Sequence, residues 1–148
     1  MAAKGNRREN LKIVLSNWFY RRMTPDQQLA VELGWRPDGE TYCEPDLLLL
    51  PSRHKLVSKI PAPDVLLLVE VANSSFKYDT QTKAPLYAAL GVRETWVINA
   101  ATMMSRVYRQ PSPNGYSNIA EFRQDELMTP HLVPAIALRL RDLGLDGE

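Results

Sequence analysis

PDVLLLVEVANSSFKYDTQTKAPLYAALGVRETWVINA, residues 63–100, reads as a strand ending in a carboxylate, a helix presenting polar groups, and a second strand. Val65 to Val71 is apolar at every position except Glu70 and lacks period-2 alternation, the pattern of a strand covered on both faces. Its shortness, its valines, Pro63 in front and Asn73-Ser74-Ser75 behind favour strand over helix. Ionised and unpaired in such a strand, Glu70 would lose its hydration at a cost of several kcal/mol. The pattern therefore asks for a cation, a strong hydrogen-bond donor or a raised pKa beside it. The bland alternative is a strand-end Glu that reaches bulk water.

Asp79, Lys83 and Tyr87 recur every four residues, which on a helix aligns them along one slowly drifting stripe. The plain reading of the first two is an exposed ion pair worth about 0.3–0.5 kcal/mol. Pro85 lacks the amide that would bond the Gln81 carbonyl, so a bend is expected just past Lys83. Gly91 suits a C-cap, and Arg93 to Asn99 resumes as a strand.

Upstream, Leu11, Val14, Leu15, Trp18 and Phe19 have helical spacing between about Arg7 and Arg22, an amphipathic helix that lays one stripe on a sheet. Leu29 to Trp35 reads as a short strand, Arg36-Pro37-Asp38-Gly39 as a tight turn, and Glu40 to Leu50 as the returning strand. Pro51 to Ala62 is a basic connection carrying Arg53, His54, Lys55 and Lys59. If Glu40–Leu50 pairs antiparallel with Val65–Val71 and Asp46 faces Glu70, the residue numbers of each pair sum to 116 and Leu50 faces Leu66. Facing Cβ atoms would then lie about 4.5–5.5 Å apart. Asp64 stands six residues from Glu70, about 20 Å along a strand, too far to share one ion with it. Asp46 is the better partner. Two carboxylates so close repel, which again calls for a cation or a shared proton.

Beyond the central stretch, Ser105–Gln110 and Tyr116–Phe122 flank an Asn114-Gly115 hairpin turn. Ala135 to Leu143 fits an edge strand or a short helix, and the residues after Gly144 are expected to fray. Glu121, Asp125 and Glu126 have no spacing that suggests a site.

At 148 residues, with 45% hydrophobic and 24% charged residues, the chain has the size and composition of one globular domain, 1–148. No apolar run reaches the ~18 residues of a membrane span and no signal peptide opens the chain, so the cytoplasm is the expected location. Cys43 is alone, which excludes an internal disulfide and a cysteine-based zinc site. His54 and His131 lie far apart among polar neighbours and read as solvated. A net charge of +1 does not announce a nucleic-acid binder. Lys4, Arg7, Arg8, Lys12, Arg21 and Arg22 nevertheless crowd the start against Glu9 alone, either as a phosphate-facing patch or as a solvated helix face.

Taken together, Glu70-Val71-Ala72-Asn73-Ser74-Ser75, Tyr78-Asp79, Lys83, Pro85-Leu86-Tyr87, Gly91-Val92 and Trp96-Val97-Ile98-Asn99 resemble the signature of the putative restriction endonuclease family. Glu44-Pro45-Asp46-Leu47 extends the resemblance upstream, and Asn73 and Asn99 stand where an Asp is frequent. That family, long described as a domain of unknown function, lies within the PD-(D/E)XK nuclease superfamily. The resemblance implies an α/β (α+β) fold, a restriction-endonuclease-like mixed β-sheet flanked by helices. It also implies metal-dependent hydrolysis of phosphodiester bonds, with DNA as the partner. Asp46, Glu70 and the Val71 carbonyl are the implied ligands of Mg²⁺ or Mn²⁺. Ala72 occupies the usual E-x-K lysine position, so that role passes to Lys83 on the helix, with Asp79 fixing it and Tyr87 bracing. Arg7, Arg8, Lys12, Arg53 and Lys55 are the candidate nucleic-acid contacts. Family members often carry a longer segment before the first helix, a possible source of a further acidic ligand. The rivals are a binding module with a vestigial acidic cluster, and a homodimer built on a sheet edge or the first helix.

Overall fold

Leu11, Leu15 and Phe19, spaced by four, put one wholly buried stripe on helix α1 (Lys4–Arg22), and Val14 and Trp18 widen it. The computed structural model describes residues 4–55 and 57–145, apart from the side chains of residues 4, 5 and 57. The Lys4 side chain and the last three residues, which carry part of the expected fraying, lie outside that range. Gly144, with φ of 76°, caps a final 3-10 turn.

The α1 stripe lies on a six-stranded sheet of order β1-β2-β3-β4-β5-β6. The strands are β1 (Gln27–Val31), β2 (Leu47–Pro51), β3 (Leu67–Ala72), β4 (Glu94–Asn99), β5 (Ser105–Ser112) and β6 (Gly115–Phe122). Only the β3–β4 pair is parallel, so the sheet is mixed. The parallel pair requires a crossover. Helical residues supply it: α2 (Phe76–Tyr78), a π turn (Asp79–Lys83) and α3 (Ala84–Leu90).

Pleat alternation sorts the strands' side chains. Leu47, Leu49, Leu67, Val69 and Val71 point to the α1 side, whereas Leu48, Leu50, Leu68 and Ala72 point to the α3 side. Every residue of β3 is buried, as a run apolar at all positions but Glu70 predicts. Leu47 faces Val69 and Leu48 faces Leu68, each pair summing to 116, so the register expected from the two acids is the one adopted.

Several boundaries differ. The first strand runs from Gln27 to Val31, not to Trp35, and the second begins at Leu47 rather than Glu40. Asp38 explains the shorter hairpin: its Oδ1 accepts from the amides of Glu40 and Thr41, and its Oδ2 from the Thr41 hydroxyl. Those amides are withdrawn from any ladder, and a single Trp35–Cys43 bridge remains. In the last hairpin Ser112 faces Gly115, so the two turn residues are Pro113 and Asn114, one position before the expected Asn-Gly turn. Pro111 is tolerated because β4 ends opposite Arg109 and claims no amide there. Of the two forms expected for the tail, edge strand or short helix, it takes the helical one, in 3-10 form. It makes two 3-10 turns, Pro134–Ile136 and Leu140–Leu143, with a Leu138–Met128 bridge between them.

Candidate active site

Glu70 follows the alternation of β3 toward α3 and is 1% exposed. The Tyr87 hydroxyl donates to its Oε2 at 2.5 Å, and Lys83 Nζ stands 3.7 Å from the same oxygen. Burial, and then the neighbouring Asp46 carboxylate, push the Glu70 carboxyl up to about 8, against the pull of Tyr87 and Lys83. The strand-end alternative, a Glu70 in bulk water, is therefore set aside.

Lys83 and Tyr87 reach Glu70 because of how Pro85 interrupts the crossover helix. Proline cannot donate back along the helix, and the turn before it widens so that the Ala84 amide bonds the Asp79 carbonyl five residues back. In place of a bend just past Lys83, the chain makes a π turn that ends at Lys83 and runs on into α3, a form that concentrates at functional sites. In an α-helix four residues overshoot a full turn by about 40°, whereas the wider turn brings Asp79 and Lys83 nearer to eclipse. Lys83 Nζ lies 3.5 Å from Asp79 Oδ1, and the Ser75 hydroxyl donates to Asp79 Oδ2 at 3.3 Å. Asp79 is 3% exposed and its Oδ1 accepts no hydrogen bond from the described residues, so the ion pair is not the exposed one of the plain reading. Burial pulls the Lys83 ammonium down, but Glu70, Asp79 and Asp46 outweigh it and its pKa is raised. Gly91, with φ of 98°, ends α3 as expected: its amide donates to the Tyr87 and Ala88 carbonyls.

Asp46 occupies the bend before β2. Its Oδ2 accepts from the Val71 amide at 2.7 Å, locking the loop carboxylate onto the strand that bears Glu70. Its Oδ1 accepts from Arg8 Nη2 at 2.9 Å, with Lys12 Nζ 3.5 Å away. Arg8 Nε also donates to the Val71 carbonyl at 2.7 Å. Lys12 is buried and pairs further with Glu32 and, at 3.8 Å, with Glu9. Asp64 closes a 3-10 turn ahead of β3 and faces Arg53 and His54.

The fold thus gathers Asp46, Glu70, Asp79, Lys83 and Tyr87 with the Val71 backbone. It redistributes the five basic residues proposed as nucleic-acid contacts. Arg7, Arg53 and Lys55 are exposed. Arg8 and Lys12 are a correction: they turn inward onto Asp46, because they sit on the buried stripe of α1 with Leu11 and Leu15. That stripe was the available signal, since residues 8, 11, 12, 15 and 19 share one helical face. Glu9 and Glu32, which hold these cations, had no comparable mark. His131 is exposed as expected, while His54 is half-buried, its Nε2 3.3 Å from Asp64.

Among the described residues no three His, Cys, Asp or Glu side chains converge on one point. The local donors are two carboxylates and a backbone carbonyl, all hard oxygens of the kind Mg²⁺ and Mn²⁺ take. A buried acid held up near 8, and an Asp79 Oδ1 that faces the Lys83 ammonium without a hydrogen bond, fit a place where added positive charge is favourable. The donor set fits a divalent ion, with Arg8 already on two of its oxygens.

Residues 1–141 match the Uma2 family, described as a putative restriction endonuclease, and the chain belongs to that family. A solved putative nuclease of DUF820 from Anabaena variabilis has a similar fold, with a TM-score of 0.67 at 15% identity, over 97% of this chain and 81% of that one. No curated protein matches the chain. No described helix is long and apolar enough to cross a membrane.

Proposed function

We propose that the protein is a metal-dependent endonuclease that hydrolyses phosphodiester bonds in DNA, acting in the cytoplasm. The observation that carries this reading is the Lys83 ammonium 3.7 Å from a buried Glu70 whose neighbour, Asp46, is pinned to the Val71 amide. Asp46, Glu70 and the Val71 carbonyl would hold Mg²⁺ or Mn²⁺, which supplies positive charge against the phosphate and acidifies water. Lys83 keeps its proton at neutral pH because its pKa is raised, so it serves as a donor to the phosphate oxygens rather than as a general base. Water attacks phosphorus as the bond to the leaving ester oxygen breaks, and Lys83, 34% exposed, meets the charge developing on the non-bridging oxygens. Asp79 positions Lys83 from one side, and Tyr87 orients Glu70 from the other. Exposed Arg7, Arg53 and Lys55 are available to the DNA backbone.

The test is cleavage of plasmid and single-stranded DNA with Mg²⁺ or Mn²⁺. Asp46→Ala, Glu70→Ala and Lys83→Ala each lower the rate by ~10²-fold or more. Equal nicking by all three variants and the wild type would mark a contaminant and end the proposal.

A second reading has one observation in its favour. Arg8 satisfies the Asp46 and Val71 oxygens without any ion, as expected of a non-catalytic module that binds nucleic acid or protein. Calorimetry separates the two: no Mn²⁺ binding that depends on Asp46 and Glu70 favours the module. Exposed Ile13, Tyr20 and Val31 support a homodimer through α1 and the β1 edge, which light scattering checks.

A further inference from the structure

Arg8 uses all three guanidinium nitrogens. Nε donates to the Val71 carbonyl at 2.7 Å, Nη2 to Asp46 Oδ1 at 2.9 Å, and Nη1 to Glu9 Oε2 at 2.6 Å. The first two acceptors belong to the donor set named for the divalent ion. An oxygen lone pair turned toward a guanidinium N–H is not free for a metal at about 2.0–2.1 Å, and two positive centres that close repel. Lys12 also stands beside Asp46 Oδ1, but its side chain is only 6% exposed and is anchored to Glu32. Arg8 is different: its side chain is 29% exposed, and its partner Glu9, 55% exposed, gives it a seat away from Asp46.

We propose that Arg8 and a divalent ion are alternative occupants of Asp46 Oδ1 and the Val71 carbonyl, so that Arg8 sets the metal affinity of the site and withdraws onto Glu9 when the ion binds. The inference rests on the two-carboxylate metal reading above. Ion binding is then coupled to the first turns of α1, which Arg8 ties to β3.

The experiment is calorimetric titration with Mn²⁺ alone of the wild type, Arg8→Ala, Arg8→Lys and Glu70→Gln. Hydrogen exchange across residues 6–12 of the wild type is followed with and without saturating Mn²⁺. Arg8→Ala is expected to bind at least tenfold tighter than the wild type. Arg8→Lys falls between, because an ammonium keeps the charge without bridging both oxygens. Mn²⁺ should quicken exchange in the first turns of α1. Equal affinity in the wild type and Arg8→Ala, both lost in Glu70→Gln, overturns the role of Arg8 and leaves the metal reading standing. No binding by a folded Arg8→Ala, checked by circular dichroism, overturns both. Should Arg8→Ala not fold, unchanged exchange in the Mn²⁺-saturated wild type together with wild-type affinity in Arg8→Lys overturns the proposal.

Discussion

Two glutamates sit buried in adjacent strands of one sheet, Glu94 at 2% exposure and Glu70 at 1%, and they are treated in opposite ways. Glu94 is surrounded by donors. Arg109, its partner across the β4–β5 ladder, reaches Oε2 at 2.9 Å, Trp96 Nε1 donates to the same oxygen at 2.8 Å, and the His131 amide donates to Oε1 at 2.9 Å. That carboxylate is an anchor tying the tail to the sheet. Glu70 has one phenol, an ammonium 3.7 Å away and a second carboxylate for a neighbour, and burial drives its pKa up. Equal burial with unequal satisfaction separates a structural acid from the one that the proposed function assigns to a cation.

Removing the anchor should have the largest effect. Glu94→Ala leaves the half-buried Arg109 with the Thr129 carbonyl and takes the acceptor from Trp96 Nε1 and the His131 amide, and is expected to lower stability by ~3–5 kcal/mol, read as a drop in the urea midpoint. A loss below ~1 kcal/mol would erase the contrast between the two acids. Next is Lys83→Ala, which should slow DNA cleavage by ~10²–10³-fold, about 2.7–4 kcal/mol, with a smaller shift of the urea midpoint than Glu94→Ala gives, because Lys83 is partly exposed. A large stability loss without a rate loss would make Lys83 an anchor of the Glu94 kind.

The third prediction concerns pH. Between the ordinary value of 4.5 and about 8, native Glu70 holds a proton that the unfolded chain has released, so the native state binds more protons there. Stability of the metal-free protein must therefore fall as pH rises through that window, by at most ~1.4 kcal/mol per pH unit. Glu70→Gln should flatten this slope in urea unfolding at several pH values; an unchanged slope would mean another group carries it. Smallest of all, Arg106→Ala breaks a largely exposed pair with Glu121 at 2.9 Å. It should cost less than ~1 kcal/mol, and a larger change in the melting curve would mean the pair holds the β5–β6 hairpin.

The sequence carried the features that depend on near neighbours. A run apolar at all positions but Glu70 marked β3 as covered and that acid as out of place, four-residue spacing aligned Asp79, Lys83 and Tyr87, and Gly91 marked the helix end. Placing Asp46 opposite Glu70 gave the register that Leu47–Leu49 and Leu67–Val69 adopt, because a pleat has only two faces and a one-residue slip inverts both. Contacts between distant positions were left to tertiary structure. Arg8 meets Asp46 across 38 residues and Val71 across 63, and no local pattern encodes either meeting. The π turn likewise resolves a conflict that proline creates without dictating its solution, and the Asp38 side chain takes amides that a β-pattern would assign to a strand. Periodicity determines which face a side chain occupies, while packing decides what waits for it on that face.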